Sequence, residues 1–207
     1  MKAVFLDRDG TIIREVKKDL TKKSQLRLYH NVPVALKILQ QNGYKLIIIT
    51  NQSLIARGLI QESELNYIHK YLKKLLAKKR VKIDGIYYCP HHPEGIIERY
   101  RKICNCRKPQ AGLLRKAMRD FNIEPSQSFF IGDSLRDMEA AEKVGIKFVL
   151  VLTGYGKKTL KEISKSSSVL ITTNPKGPRL DSLKWKPAAN LLKASQWIIT
   201  EEMKEER

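Results

Sequence analysis

Five short apolar runs recur along the chain, most of them separated by a helical pattern, and they restrict the fold more than any other feature. They are Ala3-Val4-Phe5-Leu6, Tyr44 to Ile49, Ile83 to Tyr88, Ser128 to Ile131 and Lys147 to Leu152. Each is short enough for a strand covered on both faces, the usual state of a parallel strand. Between the first two, Val34, Leu36, Ile38 and Leu39 predict an amphipathic helix that opens on Pro33 and closes on Asn42-Gly43. Leu65, Ile68, Leu72, Leu75 and Leu76 fall at helical spacing within Gln61 to Arg80. Leu113 to Phe121 and residues 134–144, stopped by Gly145, read as two further helices. Residues 14–31 are polar and lysine-rich without periodicity and predict a loop. Alternation of this kind implies the α/β class with a doubly wound parallel sheet.

Three of the runs end in polar residues able to do chemistry. The first is followed by Asp7-Arg8-Asp9-Gly10-Thr11, the second by Thr50-Asn51-Gln52-Ser53, the fourth by Gly132-Asp133. Ligands of open α/β sheets lie beyond the carboxyl ends of the strands, so these residues would share one edge. Asp7 and Asp9 repel each other there unless something cationic joins them, which suggests a metal and a phosphate. An acidic turn capping the next segment is the bland alternative.

All three cysteines lie in one aperiodic stretch, Cys89-Pro90-His91-His92-Pro93 and then Cys104-Asn105-Cys106, with two of the four histidines. A loop of that length needs a stabiliser. Three thiolates and one imidazole make the closed tetrahedral set of structural Zn²⁺, and His91 and His92 fit the spacing equally well. A disulfide would leave one cysteine over, and unliganded thiols would leave the loop without support. Arg107-Lys108-Pro109 follow directly, so an ordered loop would fix two cations for a phosphate or an anionic sugar, where a solvated basic pair would be mobile. His30 and His69 read as ordinary surface or helix residues.

With 207 residues, the chain can bury a real core. Forty Lys+Arg against 21 Asp+Glu give a net charge of +19, which favours anionic partners. The cations are spread along the chain, more like a solvated surface than a nucleic-acid stripe. No apolar run approaches a bilayer span, and the Met1-Lys2 start lacks a signal-like segment, so a cytoplasmic protein with no membrane partner is expected.

DRDGT, TNQS with Ile55-Ala56-Arg57-Gly58, CPHHP, CNCRKP and GDSLRD, in that order over about residues 3–155, resemble the haloacid dehalogenase (HAD) superfamily of phosphatases. The CPHHP…CxCRKP loop resembles one branch of it, the D-glycero-D-manno-heptose 1,7-bisphosphate phosphatases and histidinol-phosphatases. The resemblance implies a HAD-like, Rossmannoid sheet with a zinc-bound loop at 89–109 and no large cap domain. It implies a Mg²⁺-dependent phosphomonoesterase that removes the C7 phosphate of the heptose bisphosphate through an aspartyl-phosphate, in the route to nucleotide-activated heptose. Asp7 would be the nucleophile and Asp9 the general acid and base. Mg²⁺ would be held by Asp7, the Asp9 carbonyl and Asp133, with Asp137 behind them. Thr50 and Lys108 would hold the transferring phosphoryl group with Asn51 alongside, and Arg107 would reach a substrate group away from it. Zn²⁺ would sit on Cys89, His91, Cys104 and Cys106 as a structural ion.

Two departures bear on substrate rather than on chemistry. Ile12 to Leu28 is rich in lysine and lacks the Gly-Tyr element usual in that branch, and Leu54 stands where glycine commonly follows TNQS. Residues 156–207 match loosely. The phosphatase domain is expected over 1–171, then a linker at Thr172 to Pro178 and a terminal helix around Leu191-Leu192 and Trp197-Ile198-Ile199, packed on the domain with a frayed charged end at Glu201 to Arg207. A monomer acting on a small sugar bisphosphate is expected. Histidinol phosphate is the alternative substrate, and a polynucleotide 3′-phosphatase or nucleic-acid-binding module is the alternative of another class, motivated by the charge.

Overall fold

The computed structural model describes residues 1–16, 19–169 and 185–205, with side chains to 165 and 204 in the last helix of each stretch. Six parallel strands form one sheet: β1 (Ala3–Leu6), β2 (Lys45–Asn51), β3 (Gly85–Cys89), β4 (Phe129–Gly132), β5 (Lys147–Val151) and β6 (Trp185–Ala188), in the order β3-β2-β1-β4-β5-β6. β1 and β4 are neighbours, with Leu6 beside both Ile48 and Ile131. From them the chain winds outward in opposite directions, which opens a crevice at their carboxyl ends.

Alternation along the strands splits the core in two. Val4, Leu6, Ile48, Ile131 and Val149 join the cluster under α1 (Val32–Gln41), α2 (Glu62–Ala77) and α6 (Leu191–Glu205). Ala3, Phe5, Ile49, Phe130 and Leu150 face α3 (Gly112–Phe121), α4 (Leu135–Glu142) and α5 (Gly156–Val169). The sheet is therefore covered on both faces, as the unbroken apolar runs require.

Differences from the sequence reading lie at boundaries and at the end of the chain. The third strand begins at Gly85 rather than Ile83, which is buried just outside the ladder. β6 and α5 have no counterpart in the predicted elements. The expected terminal helix is α6, packed on α1, but it runs to Glu205, so most of the expected frayed end is helical. The linker at Thr172 to Pro178 lies outside the described residues. Ile13 bridges to Leu28 and a single 3-10 turn spans Lys23–Gln25, which gives the 14–31 loop some order. The β3–α3 connection likewise holds one 3-10 turn, Glu98–Tyr100, and no inserted domain stands among the described residues. No described helix is long and apolar enough to cross a membrane.

Candidate active site

At the carboxyl ends of β1 and β4, the side chains of Asp7, Asp133 and Asp137 are buried and bring one oxygen each within 4.8 Å of one another. Asp137 lies in the first turn of α4, where its Oδ2 accepts from the Ser134 amide at 3.1 Å and hydroxyl at 2.6 Å. Lys108 reaches into the cluster from the loop after β3. Its Nζ donates to Asp7 Oδ1 at 2.7 Å and to the Ile49 carbonyl at 2.9 Å, and lies 2.6 Å from Asp137 Oδ1. Both oxygens of Asp137 are thus engaged by the protein.

Three carboxylates against one ammonium leave two negative charges in a buried space. Burial first, with Asp137 and Asp9 adding to it against Lys108, raises Asp7 to about 7. Burial, then Asp7 and Asp137, raises Asp133 to about 8. For Lys108, burial works against the charge, and Asp137 and Asp7 outweigh it, so its pKa is raised. An all-oxygen donor set with uncompensated charge suits a hard divalent cation such as Mg²⁺.

The turn that carries Asp9 is shaped to admit Asp133. Gly10 has φ +80, and a Cβ there would stand 1.9 Å from Asp133 Oδ2; one on Gly154, with φ +53, would stand 2.0 Å from the same atom. Two glycines therefore make the room in which the carboxylate sits. The Thr153 hydroxyl donates to the Gly10 carbonyl at 2.6 Å and the Tyr155 amide to Asp133 Oδ2 at 2.8 Å, fastening the loop after β5 to the DRDGT turn.

Asp9 goes elsewhere. Its carboxylate accepts from Arg8 Nε at 3.1 Å, Arg8 Nη2 at 3.0 Å and Gln52 Nε2 at 2.9 Å. Gln52 also donates to the hydroxyl of the buried Thr50 at 2.9 Å. A cleft of about 160 Å³ opens beside them, lined by Arg8, Asp9, Asn51, Gln52 and, across its mouth, by Asp19 bonded through both oxygens to Arg57 at 3.0 Å. Asn51 binds the backbone of Lys108, with Oδ1 accepting its amide and Nδ2 donating to its carbonyl, both at 3.0 Å. That reciprocal pair fixes the lysine-bearing loop to the end of β2.

The sulfurs and one imidazole of that loop converge. Cys89, Cys104 and Cys106 Sγ stand 3.2–3.5 Å apart, and His91 Nδ1 lies 3.2 Å from Cys106 and 3.7 Å from Cys89. These separations are too long for a sulfur–sulfur bond and close to the edge of about 3.8 Å that a tetrahedral ion with metal–sulfur bonds of about 2.3 Å would set. The four can hold a metal ion. Of the two histidines, His91 is the one that stands among the sulfurs, whereas His92 Nδ1 accepts from the Glu94 amide at 3.1 Å. Half-buried Arg107 donates to the His91 carbonyl at 3.2 Å, so it is tied to the same loop. A third small core cluster, including Leu54 and Tyr100, supports the loop, and the Tyr88 and Tyr100 hydroxyls both donate to Glu62. Leu54, where glycine is usual, is buried in that cluster.

Sequence reasoning did not single out Arg8, Gln52 or His69. Arg8 stood inside the motif and Gln52 inside TNQS, but only the fold shows what their side chains hold. His69 is a helix residue as expected, though a buried one.

A HAD-hydrolase-like family model matches residues 105–173. The D-glycero-beta-D-manno-heptose-1,7-bisphosphate 7-phosphatase of Haemophilus ducreyi is 42% identical over 179 residues, 83% of this chain and 93% of the relative. The enzyme of the same name from Escherichia coli K12 is 37% identical over 194 residues, 90% and 96% of the two chains. Among solved structures, the D,D-heptose 1,7-bisphosphate phosphatase of B. bronchiseptica, complexed with magnesium and phosphate, superposes with a TM-score of 0.80 at 29% identity, covering 97% of this chain and 99% of that one.

Proposed function

The chain belongs to the heptose-1,7-bisphosphate 7-phosphatase family of HAD-like hydrolases, and from that premise we propose that it removes the C7 phosphate of D-glycero-D-manno-heptose 1,7-bisphosphate as a monomeric, Mg²⁺-dependent phosphomonoesterase. The observation that carries the reading is the buried Asp7–Lys108 pair at 2.7 Å, beside Asp133 and Asp137, at the carboxyl edge of the sheet.

Asp7 attacks phosphorus, forming an acyl-phosphate bond while the bond from phosphorus to the sugar oxygen breaks, its electron pair leaving on that oxygen. Asp9 gives the leaving oxygen a proton. Water then attacks phosphorus, passes a proton to Asp9 and releases inorganic phosphate, restoring Asp7. Lys108 and Thr50 offset the charge on the phosphoryl oxygens, and Asn51 holds Lys108 in place. Asp7, Asp133 and the Asp9 carbonyl would hold Mg²⁺, which when bound offsets the charge of the phosphoryl group and of the carboxylates. Asp137, with Lys108 on one oxygen and Ser134 on the other, orients the lysine rather than the ion.

Cys89, His91, Cys104 and Cys106 are read as a structural zinc site, supported by their donor chemistry and spacing. It would order the loop that carries Lys108 and Arg107, and Arg107 would then meet the sugar or its second phosphate. Three free thiols together fit a reducing compartment, which supports a cytoplasmic location. The phosphatase domain would span 1–171, and the terminal segment packed on it adds β6 to the same sheet.

The test is phosphate release, with Mg²⁺, from both anomers of the heptose bisphosphate, the beta anomer first because the relatives are named for it, and from histidinol phosphate and a 3′-phosphorylated oligonucleotide. Turnover of the heptose bisphosphate well above the other two, abolished in Asp7→Asn, is expected. Preference for histidinol phosphate or the oligonucleotide would replace the substrate, and turnover surviving in Asp7→Asn would remove the mechanism.

A further inference from the structure

On α2, the buried stripe Leu65, Ile68, Leu72 and Leu76 includes one polar residue, His69, 5% exposed. An imidazole in an apolar stripe needs a partner, and among the described residues its hydrogen bond goes to Arg8, with Nη1 3.1 Å from His69 Nε2. A guanidinium has donors only, so Nε2 must present its lone pair and the ring proton must sit on Nδ1. The ring of Tyr88 packs against the imidazole at 5.5 Å between centroids.

Arg8 is itself 1% exposed, and every terminal of its fork is used. Nε and Nη2 hold the Asp9 carboxylate, Nη2 also donates to Gln52 Oε1 at 2.8 Å, and Nη1 meets His69. Asp9 has a side chain 35% exposed at the edge of the cleft, and Arg8 and Gln52 donate the side-chain hydrogen bonds to its carboxylate. Its direction is therefore set by Arg8 and Gln52, and the tilt of Arg8 by the acceptor at its far end. His69 supplies that acceptor from a helix whose packing locks the side chain.

We propose that His69 is a positioning residue for Asp9, acting through Arg8 in the two proton transfers of the phosphatase reaction. The proposal rests on the phosphatase reading above. Proton transfer by a placed carboxyl group contributes about 10²- to 10⁴-fold, and misplacement by a fraction of an ångström forfeits part of it. The loss should fall on substrates whose leaving oxygen needs a proton. An alkyl or sugar phosphate needs one, whereas p-nitrophenyl phosphate expels a stable phenolate without it.

The experiment compares kcat/KM for the heptose bisphosphate and for p-nitrophenyl phosphate, since this parameter covers steps through the first phosphoryl transfer. In His69→Leu the ratio of sugar to aryl kcat/KM should fall about 10-fold or more. His69→Gln, whose amide oxygen can accept from Arg8, should recover most of the ratio. His69→Asn, polar but too short to reach, should not, and it keeps the comparison available if the leucine variant does not fold. An unchanged ratio in the Leu and Asn variants, whether both activities hold or fall together, would overturn the proposal, as would a glutamine variant no better than asparagine. Turnover in the wild type and its loss in Asp7→Asn test the phosphatase reading independently, because neither involves His69.

Discussion

Replacing Lys108 by methionine keeps most of the side-chain volume and removes the ammonium that lies 2.7 Å from Asp7 and 2.6 Å from Asp137. The lysine side chain is 4% exposed, and its partners are 11% and 0% exposed, so water cannot replace it. Removing one partner of such a buried pair costs about 3–5 kcal/mol, because the remaining carboxylates must stay charged in a poor solvent or take up protons. For a chain of this size each kcal/mol moves the melting temperature by about 2–4 °C, so the metal-free variant at pH 8 should melt about 6–20 °C lower. Mg²⁺ should recover part of the loss, since it neutralises the same oxygens. Activity should fall by about 10²- to 10³-fold in kcat, the usual penalty for removing one preorganised donor from a developing anion. The control is Lys116→Met, which removes a 2.9 Å pair with Asp120 whose members are 56% and 39% exposed. An exposed pair is worth at most about 1 kcal/mol, so that variant should melt within about 4 °C of wild type. Scanning calorimetry without added divalent metal and then with Mg²⁺ makes the comparison. A Lys108→Met protein that melts with the control and keeps its kcat would refute the charge accounting on which the site is read.

Two further predictions concern ions. Metal analysis of protein prepared without chelator should find one zinc per chain, lost in Cys104→Ser together with most of the activity, because Lys108 stands two residues beyond Cys106; zinc-free protein with full activity would sink this. For the acidic cluster, folded values of about 7 at Asp7 and about 8 at Asp133 lie above the ordinary carboxyl value of 3.8, so the metal-free folded chain holds protons that the unfolded chain has released. That contribution is complete below about pH 4 and is lost as pH rises through 7 to 8, so denaturant midpoints without added Mg²⁺ should fall from pH 6.5 to 8.5 and Mg²⁺ should flatten the trend; a midpoint that rises without Mg²⁺ contradicts it.

The core strands and most helices were legible because burial on both faces leaves an unbroken apolar run, and a covered helix leaves a stripe. β6 escaped because Trp185-Lys186-Pro187-Ala188 has no such run: an edge strand can carry proline and half-exposed residues. α5 escaped because its sequence is rich in lysine and serine, leaving few apolar positions to mark a period. The chemistry at strand ends could be read in outline, since three runs stop at polar residues that a parallel sheet brings to one edge. The choice of His91 over His92 could not, because neighbours at one spacing differ only in which way the loop turns. Nor could the Arg8–His69 contact, which joins residues 61 positions apart and depends on how α2 packs on the sheet. Local patterns record burial; they do not record which buried polar groups meet.

Two residues apart in one turn, Asp7 and Asp9 end in different electrostatic settings, and this is what would let one motif hold the nucleophile and the proton carrier proposed above. Asp7 shares its ammonium with Asp137 beneath a cluster that wants a cation, so it can stay ionised for attack once that charge is supplied. Asp9 has its own guanidinium, 35% exposure and a cleft beside it, which would leave it open to a leaving group and to water. The two cations are supported separately. Lys108 is carried by the thiol-rich loop and pinned by Asn51, whereas Arg8 is braced by α2 through His69. Damage to the loop should therefore reach the transfer to Asp7 on every substrate, while damage at α2 should be felt chiefly on substrates whose leaving oxygen needs the proton.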